Sequence, residues 1–383
     1  MPRTRQAPVA GCQDDRAMKL LHFADLHLDT AFGWAPPAVA SIQRQAIRAT
    51  LRRIGEVARE EGVDAVTCGG DLYEQERYTA DTADFLVSTF GDLHPLPVLL
   101  APGNHDWLGP SSIYATARWS HNVHLFQGDR LEAFEAIPGI TIWGAAHRAP
   151  ANTDDFLHDF HARVPGLNIA LFHGSERSGL PQQPAGKEPH AAFFAHEISA
   201  GGLVHALLGH YHTAIEGTDY TYPGSPEQLS FGDPGPRGAV LIEFAPDGTF
   251  TRRWIAVAQS ALDVIEVDVS GFGNAQEVCD RIEATVAGHK GVARIHLKGE
   301  VEPSLSIDLP VLRYAARGLQ YAEFDTRDMR TAYDVDTIRE EKTVRGQFVR
   351  DVFGDSSLDD GERQRVLVTG LRALSGRDDL EVV

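Results

Sequence analysis

Five short polar segments carry most of the residue types that could do metal chemistry together. They are Asp25-Leu26-His27, Gly70-Asp71, Gly103-Asn104-His105-Asp106, His173-Gly174 and Gly209-His210-Tyr211-His212. Their carboxylates, amide and imidazoles suit two borderline-hard divalent cations, such as Mn2+, Fe2+ or Zn2+, held by mixed nitrogen and oxygen ligands. No thiolate is among them, which disfavours structural zinc. Residues i and i+2 of an extended segment share a face. The spacing therefore predicts that Asp25 with His27, and His210 with His212, project paired ligands into one pocket. Asp71 has two oxygens and can bridge two cations; a pair about 3.5–4 Å apart clamps a phosphate and activates water. Glycines at 70, 103, 174 and 209 permit tight turns and close backbone approach. One Asp-x-His or His-x-His alone means little. Five segments in this order, each closing an expected strand, point to a metal site.

The elements that must position them read as alternating strands and helices. Apolar runs predict strands from Lys19, at 63–68, 97–100, 122–126, 139–144, 167–172, 206–208 and 239–244. Helical spacing of Ile47, Leu51, Ile54 and Ala58 predicts a helix over 39–61, and another is expected near 79–91. Such interleaving argues for an α/β domain with mixed or parallel sheets, whose ligands gather at strand ends. After residue 258 the texture changes. Strands at 262–270 and 292–298 flank a helix at 275–287, giving a smaller α+β domain over 259–332. Residues 333–383 read as a helical tail with two apolar stripes, one of Val344, Phe348, Val349, Val352 and Phe353 and one of Val366, Leu367, Leu371 and Leu374. Residues 1–17 lack the apolar core of a secretory signal and read as a disordered leader.

Composition bounds the rest. A length of 383 residues exceeds the usual span of one core, and 43% hydrophobic content with 23% charged residues is globular. No apolar run approaches the roughly 18–20 residues needed to cross a bilayer. Cys12, Cys68 and Cys279 are too scattered for a disulfide framework, which fits a reducing cytoplasm. The net charge of −19 disfavours an ordinary polyanion binder. Of that charge −8 falls in residues 261–383, leaving −11 for 1–260, so the acidity is spread. Two divalent cations would make attraction local to the site, with weak DNA binding by this chain alone.

The ordered motifs resemble those of the calcineurin-like metallophosphoesterase superfamily over about residues 18–255. The resemblance implies a two-sheet αββα sandwich in which Asp25, His27, Asp71 and His212 hold one metal, most commonly Mn2+. Asp71, Asn104, His173 and His210 would hold the other. His105 would be the acid near the leaving group or a stabiliser of the transition state, oriented by Asp106. The opening MKLLHFADLHLDTAF, with Leu28-Asp29 and Phe32, looks like the DNA repair exonuclease branch, the nuclease subunit of SbcCD-type complexes. Tyr222-Pro-Gly-Ser-Pro-Glu-Gln-Leu-Ser-Phe231 resembles that branch's Pro-Gly-Ser…Ser-Phe element. The branch implies a metal-dependent DNA exonuclease or endonuclease with a capping domain, a partner-docking tail, an SbcC-like ATPase partner and a possible homodimer.

Two positions depart from the pattern. Glu74 stands where some members carry a histidine that assists exonuclease activity, and Val204-His205 replaces Asp-Tyr. The alternative reading is a small-molecule or nucleotide phosphodiesterase with the same core. A phosphomonoesterase and a non-catalytic scaffold rank lower. Of the remaining histidines, His22 reads as a satisfied core residue and the others as solvated or hydrogen-bonded. Trp107 reads as packing or as a stacking platform for a base.

Overall fold

The computed structural model describes residues 17–150, 156–178, 189–303, 305 and 307–375. Of the leader expected at 1–17 all but Ala17, and of the tail the last eight residues, lie outside the described residues. The chain divides into two compact units, Met1–Ser260 and Ala261–Val383.

The first unit begins β1 (Met18–Phe23), α1 (Pro37–Glu60), β2 (Ala65–Cys68), α2 (Ala80–Gly91), β3 (Val98–Leu100), α3 (Ile113–Thr116) and β4 (Val123–Leu125). It continues through β5 (Glu132–Ile137), β6 (Ile140–Gly144), β7 (Leu167–His173), α4 (His196–Ala200) and β8 (His205–Gly209). It closes with β9 (Ile215–Glu216), β10 (Tyr220–Tyr222), β11 (Gly238–Phe244) and β12 (Phe250–Ala256). One six-stranded sheet runs β12-β11-β1-β2-β3-β4 and the other β5-β6-β7-β8-β10-β9.

Alternation along the strands builds the layers. Leu20, Leu99, Val240 and Ile242 of the first sheet share a core with Ile142, Ile169, Leu171 and Leu207 of the second. Their neighbours Leu21, Val66, Leu100 and Leu241 turn the other way, onto Ile47, Leu51 and Ile54 of α1 and Leu86 of α2. Ala170, Phe172 and Leu208 cover the far face of the second sheet with Phe193 and Ile198. The result is an αββα sandwich. Each fully buried Leu or Ile in it contributes roughly 1.5–3 kcal/mol.

The second unit starts with β13 (Leu262–Asp268), α5 (Ala275–Val286), β14 (Val292–Val301), α6 (Leu309–Ala315) and β15 (Tyr321–Thr331). Its three strands are all parallel, as strands joined by helical crossovers are. Then come α7 (Val335–Glu340), α8 (Val344–Gly354) and α9 (Asp360–Leu374). A capping box of Asp359 and Glu362 starts α9. The tail stripes split. Val349, Val352, Leu367 and Leu371 bury against one another and Ile338, while Val344, Phe353, Val366 and Leu374 remain exposed. Among the described residues no helix is long and apolar enough to cross a membrane.

His22 joins the two sheets. Its Nε2–H donates to the Leu208 carbonyl at 3.0 Å, and Nδ1 accepts from the Thr67 hydroxyl at 3.0 Å. Burial lowers this imidazole to about 4. The unfolded chain takes up the proton near 6.5 and the folded chain only near 4. Stability present above pH 6.5 is therefore lost as pH falls through that window, by roughly 3 kcal/mol from this group at pH 4. Urea unfolding between pH 7 and 4 checks this; a flat profile would refute it.

Candidate metal centre

All five polar segments sit at the C-terminal ends of β1, β2, β3, β7 and β8, where the two sheets converge. The extended geometry expected for Asp25–His27 and His210–His212 is not what aims the ligands. Asp25 (φ 54°), His27 (52°), Asp71 (52°) and His210 (115°) all lie in the left-handed region. Backbone bonds hold them there: Asp25 N–H donates to Gly70 O and His27 N–H to Asp71 O, both at 2.9 Å. Conformations of this kind cost about 1–3 kcal/mol each and persist where the surroundings over-determine them. Gly103 leaves no room for a side chain, since a Cβ there would lie 2.3 Å from Asp71 Oδ1.

Two histidines have their protons assigned by their neighbours. His173 Nδ1 must donate to the Gly69 carbonyl at 2.9 Å, and burial lowers the ring to about 3, so it is neutral. Its Nε2 lone pair then faces Asn104 Oδ1 at 2.9 Å and Asp71 Oδ2 at 3.3 Å. His27 Nδ1–H donates to Glu74 Oε1 at 2.8 Å. That sets its Nε2 toward His212 Nε2 at 3.1 Å and Asp71 Oδ2 at 3.6 Å. At each place nitrogen and oxygen atoms able to ligate a cation converge on one point. Asp71 belongs to both convergences.

The carboxylates agree. Asp25 is fully buried, and burial followed by the charge of Asp71 pushes its carboxyl well above the ordinary range. Both its oxygens accept from the His210 amide, at 3.0 and 3.1 Å. Two buried acids side by side call for positive charge. The atoms of Asp25, His27 and His212 lie within 4.8 Å of one another, and so do those of Asp25, Asp71 and His173. The His210 ring lies 5.2 Å from that of His173. This donor set fits two hard or borderline cations.

His105 is not oriented as expected. The carboxylate of Asp106 is turned inward and fully buried. Its Oδ1 accepts from the amides of Gly103 (2.6 Å) and Asp71 (3.2 Å), and its Oδ2 from Leu72 N–H (2.7 Å) and Tyr114 O–H (2.6 Å). Asp106 therefore clamps the two ligand loops together. Burial and the charge of Asp71 push it up to about 6 against these donors. The partner of His105 is Glu74, whose Oε2 lies 3.1 Å from Nδ1. That bond raises His105 to about 9. Burial alone would raise Glu74, but bonds from His105 and His27 outweigh it and hold it at about 2.

Other supports have no periodicity that would reveal them in a sequence. His147 Nε2–H donates to the His173 carbonyl at 2.9 Å. Arg237 donates to the His212 carbonyl at 2.9 Å, and Ser225 N–H to the same oxygen at 3.0 Å. The Tyr222–Phe231 element thus props the His210–His212 loop. Its Glu227 is fully buried and accepts from the Thr50 hydroxyl, the amides of Gln259 (2.8 Å) and Ser260 (3.0 Å) and the Ser260 hydroxyl. Phe231 packs 4.6 Å from Trp34. Trp107 is half-buried.

The calcineurin-like phosphoesterase family profile matches residues 18–214, just over half of the chain. The chain belongs to that family. It is a phosphoesterase of a kind that works through a dimetal centre. Among its relatives is the uncharacterized metallophosphoesterase YhaO of Bacillus subtilis, 24% identical over 70% of this chain and 67% of YhaO. The DNA double-strand break repair protein Mre11 of Methanopyrus kandleri is 28% identical over 65% of the chain and 59% of that protein. The SbcD component of the nuclease SbcCD of Rhodobacter capsulatus is 25% identical over 60% of the chain and 67% of that component. The chain thus spans less than two thirds of that Mre11.

Proposed function

We propose that this phosphoesterase is a metal-dependent nuclease that hydrolyses phosphodiester bonds of DNA in cytoplasmic repair, with an SbcC-like ATPase as partner. The observation that carries the hydrolytic part is the Asp71 carboxylate, shared between the acceptor atoms around His27 and those around His173. In this reading Asp25, His27, Asp71 and His212 hold one cation, and Asp71, Asn104, His173 and His210 hold the second, with Mn2+ the natural occupant. When bound, the pair activates water and neutralises charge on the phosphoryl group. The chain's own residues do the remainder. His105, raised to about 9, is protonated at neutral pH and gives its proton to the leaving oxygen. Asp106 keeps the Gly70 and Gly103 loops in register, and Arg237 with Ser225 holds the His212 loop.

DNA is favoured over small esters by the likeness to Mre11 and to the SbcD component of SbcCD, and by the Tyr222–Phe231 element. The parallel unit from 261 would serve as the cap, and the helices from 333 as the docking end. Mn2+-dependent digestion of single-stranded and hairpin DNA, run beside hydrolysis of bis-p-nitrophenyl phosphate, tests the proposal. DNA cleavage that stops on chelation is expected. Turnover of the small ester with no cleavage of any DNA would move the assignment to a small-molecule phosphodiesterase.

A further inference from the structure

We propose that Glu74 is a positioning residue that holds a metal-binding histidine and the proton donor with one carboxylate. The inference rests on the roles given above to His27 and His105. The chain around Glu74 is tied on both sides: Glu74 N–H donates to Leu28 O at 2.9 Å and Gln75 N–H to His105 O at 3.0 Å. The side chain is thereby set between the two rings, whose centroids are 4.8 Å apart and nearly perpendicular. Oε1 lies 2.8 Å from His27 Nδ1 and Oε2 lies 3.1 Å from His105 Nδ1. A carboxylate only accepts, so both Nδ1 atoms carry hydrogen. Each ring therefore has Nδ1 engaged by Glu74 and Nε2 left for the site. For His27 that atom is the one facing Asp71 and His212. For His105, whose side chain is 44% exposed, it is free to meet a substrate oxygen.

A carboxylate behind a ligating imidazole fixes its orientation and basicity, and its removal typically costs about 10–100-fold in metal affinity or activity. Glu74 does this for His27 while serving His105 with its other oxygen. An amide of the same shape has one acceptor and one donor edge, so glutamine can satisfy one of the rings but not both.

The test uses the full chain with Glu74→Gln, His105→Ala and the double variant. Mn2+ binding is measured by calorimetry and elemental analysis, and kcat and KM with bis-p-nitrophenyl phosphate. Glu74→Gln is expected to bind one of two Mn2+ equivalents about 10–100-fold more weakly and still reach two at saturation. Its kcat at saturating Mn2+ should fall about tenfold or more with KM little changed. The kcat loss of the double variant should be smaller than the product of the two single losses, since Glu74 acts in part through His105. Wild-type affinity and kcat in Glu74→Gln would overturn the proposal. So would a ceiling of one Mn2+, which would make Glu74 a ligand, and so would multiplied kcat losses in the double variant. A wild-type chain that binds no Mn2+ would instead remove the dimetal reading, and the Glu74 assignment with it.

Discussion

Replacing His105 with alanine should cut kcat on bis-p-nitrophenyl phosphate by about 10²–10⁴-fold, the contribution of a positioned proton donor, with two equivalents of Mn2+ still bound. The separation is possible because the residue touches the site in two ways. Its backbone N–H donates to Asp71 Oδ1 at 2.8 Å, and alanine keeps that bond. Its ring stands at the partly exposed rim, bonded to Glu74. The pH profile carries a second signature. An acid works only while protonated, so activity falls as pH rises through its pKa. The ring lies at about 9 without cations, and two nearby cations pull it down. The alkaline limb of the wild-type profile should therefore lie below 9 and be missing from the variant. Loss of metal from His105→Ala in elemental analysis, or an unchanged alkaline limb, would sink the assignment.

Asp71→Asn should do the reverse, removing metal and activity together. Asp71 lies beside His27 and His173 at once, so one neutral amide weakens both pockets. The activity loss should exceed the roughly 10–100-fold that follows removal of a partner lying behind a ligand. Against its burial, the charges of His173, His27 and His105 and the His105 amide hold the Asp71 carboxyl well below the ordinary range, so an amide there forfeits those contacts as well as the cations. Mn2+ should then raise the melting temperature of the wild type and leave that of Asp71→Asn nearly unmoved. Scanning calorimetry with and without Mn2+ decides it: a variant that still responds fully to Mn2+ contradicts the shared-carboxylate account.

The central strands were legible because burial on both faces demands unbroken apolar runs, as in Leu20-Leu21 and Val98–Leu100. Four of the strands not expected, β5, β9, β12 and β15, are sheet edges. Edge strands such as Phe250–Ala256 and Tyr321–Thr331 carry Arg, Asp and Glu on their open faces and lose the apolar signature. At the site, the types and order of the candidate residues were readable because cation chemistry dictates them. Their aim was not. Period-two logic for Asp25 and His27 presumes an extended backbone, whereas hydrogen bonds to Gly70 and Asp71 coil this segment into left-handed turns. The same turns bring Glu74, which looked like a departure from a pattern, against His105. They also spend the oxygens of Asp106 on backbone amides. The resemblance implies Asp106 as the residue that orients His105, whereas the ring bonds Glu74.

The anchoring of Glu227 bears on where this chain can be cut. Texture alone places the end of the phosphoesterase part at residue 258, yet two of the amides that satisfy this buried carboxylate belong to Gln259 and Ser260. A fragment stopping at 258 would strip the Gln259 and Ser260 donors from this buried carboxyl group at the root of the strap that props the His212 loop. The natural severing point lies beyond Ser260. What looks like spacer between two units is the last fastening of the first.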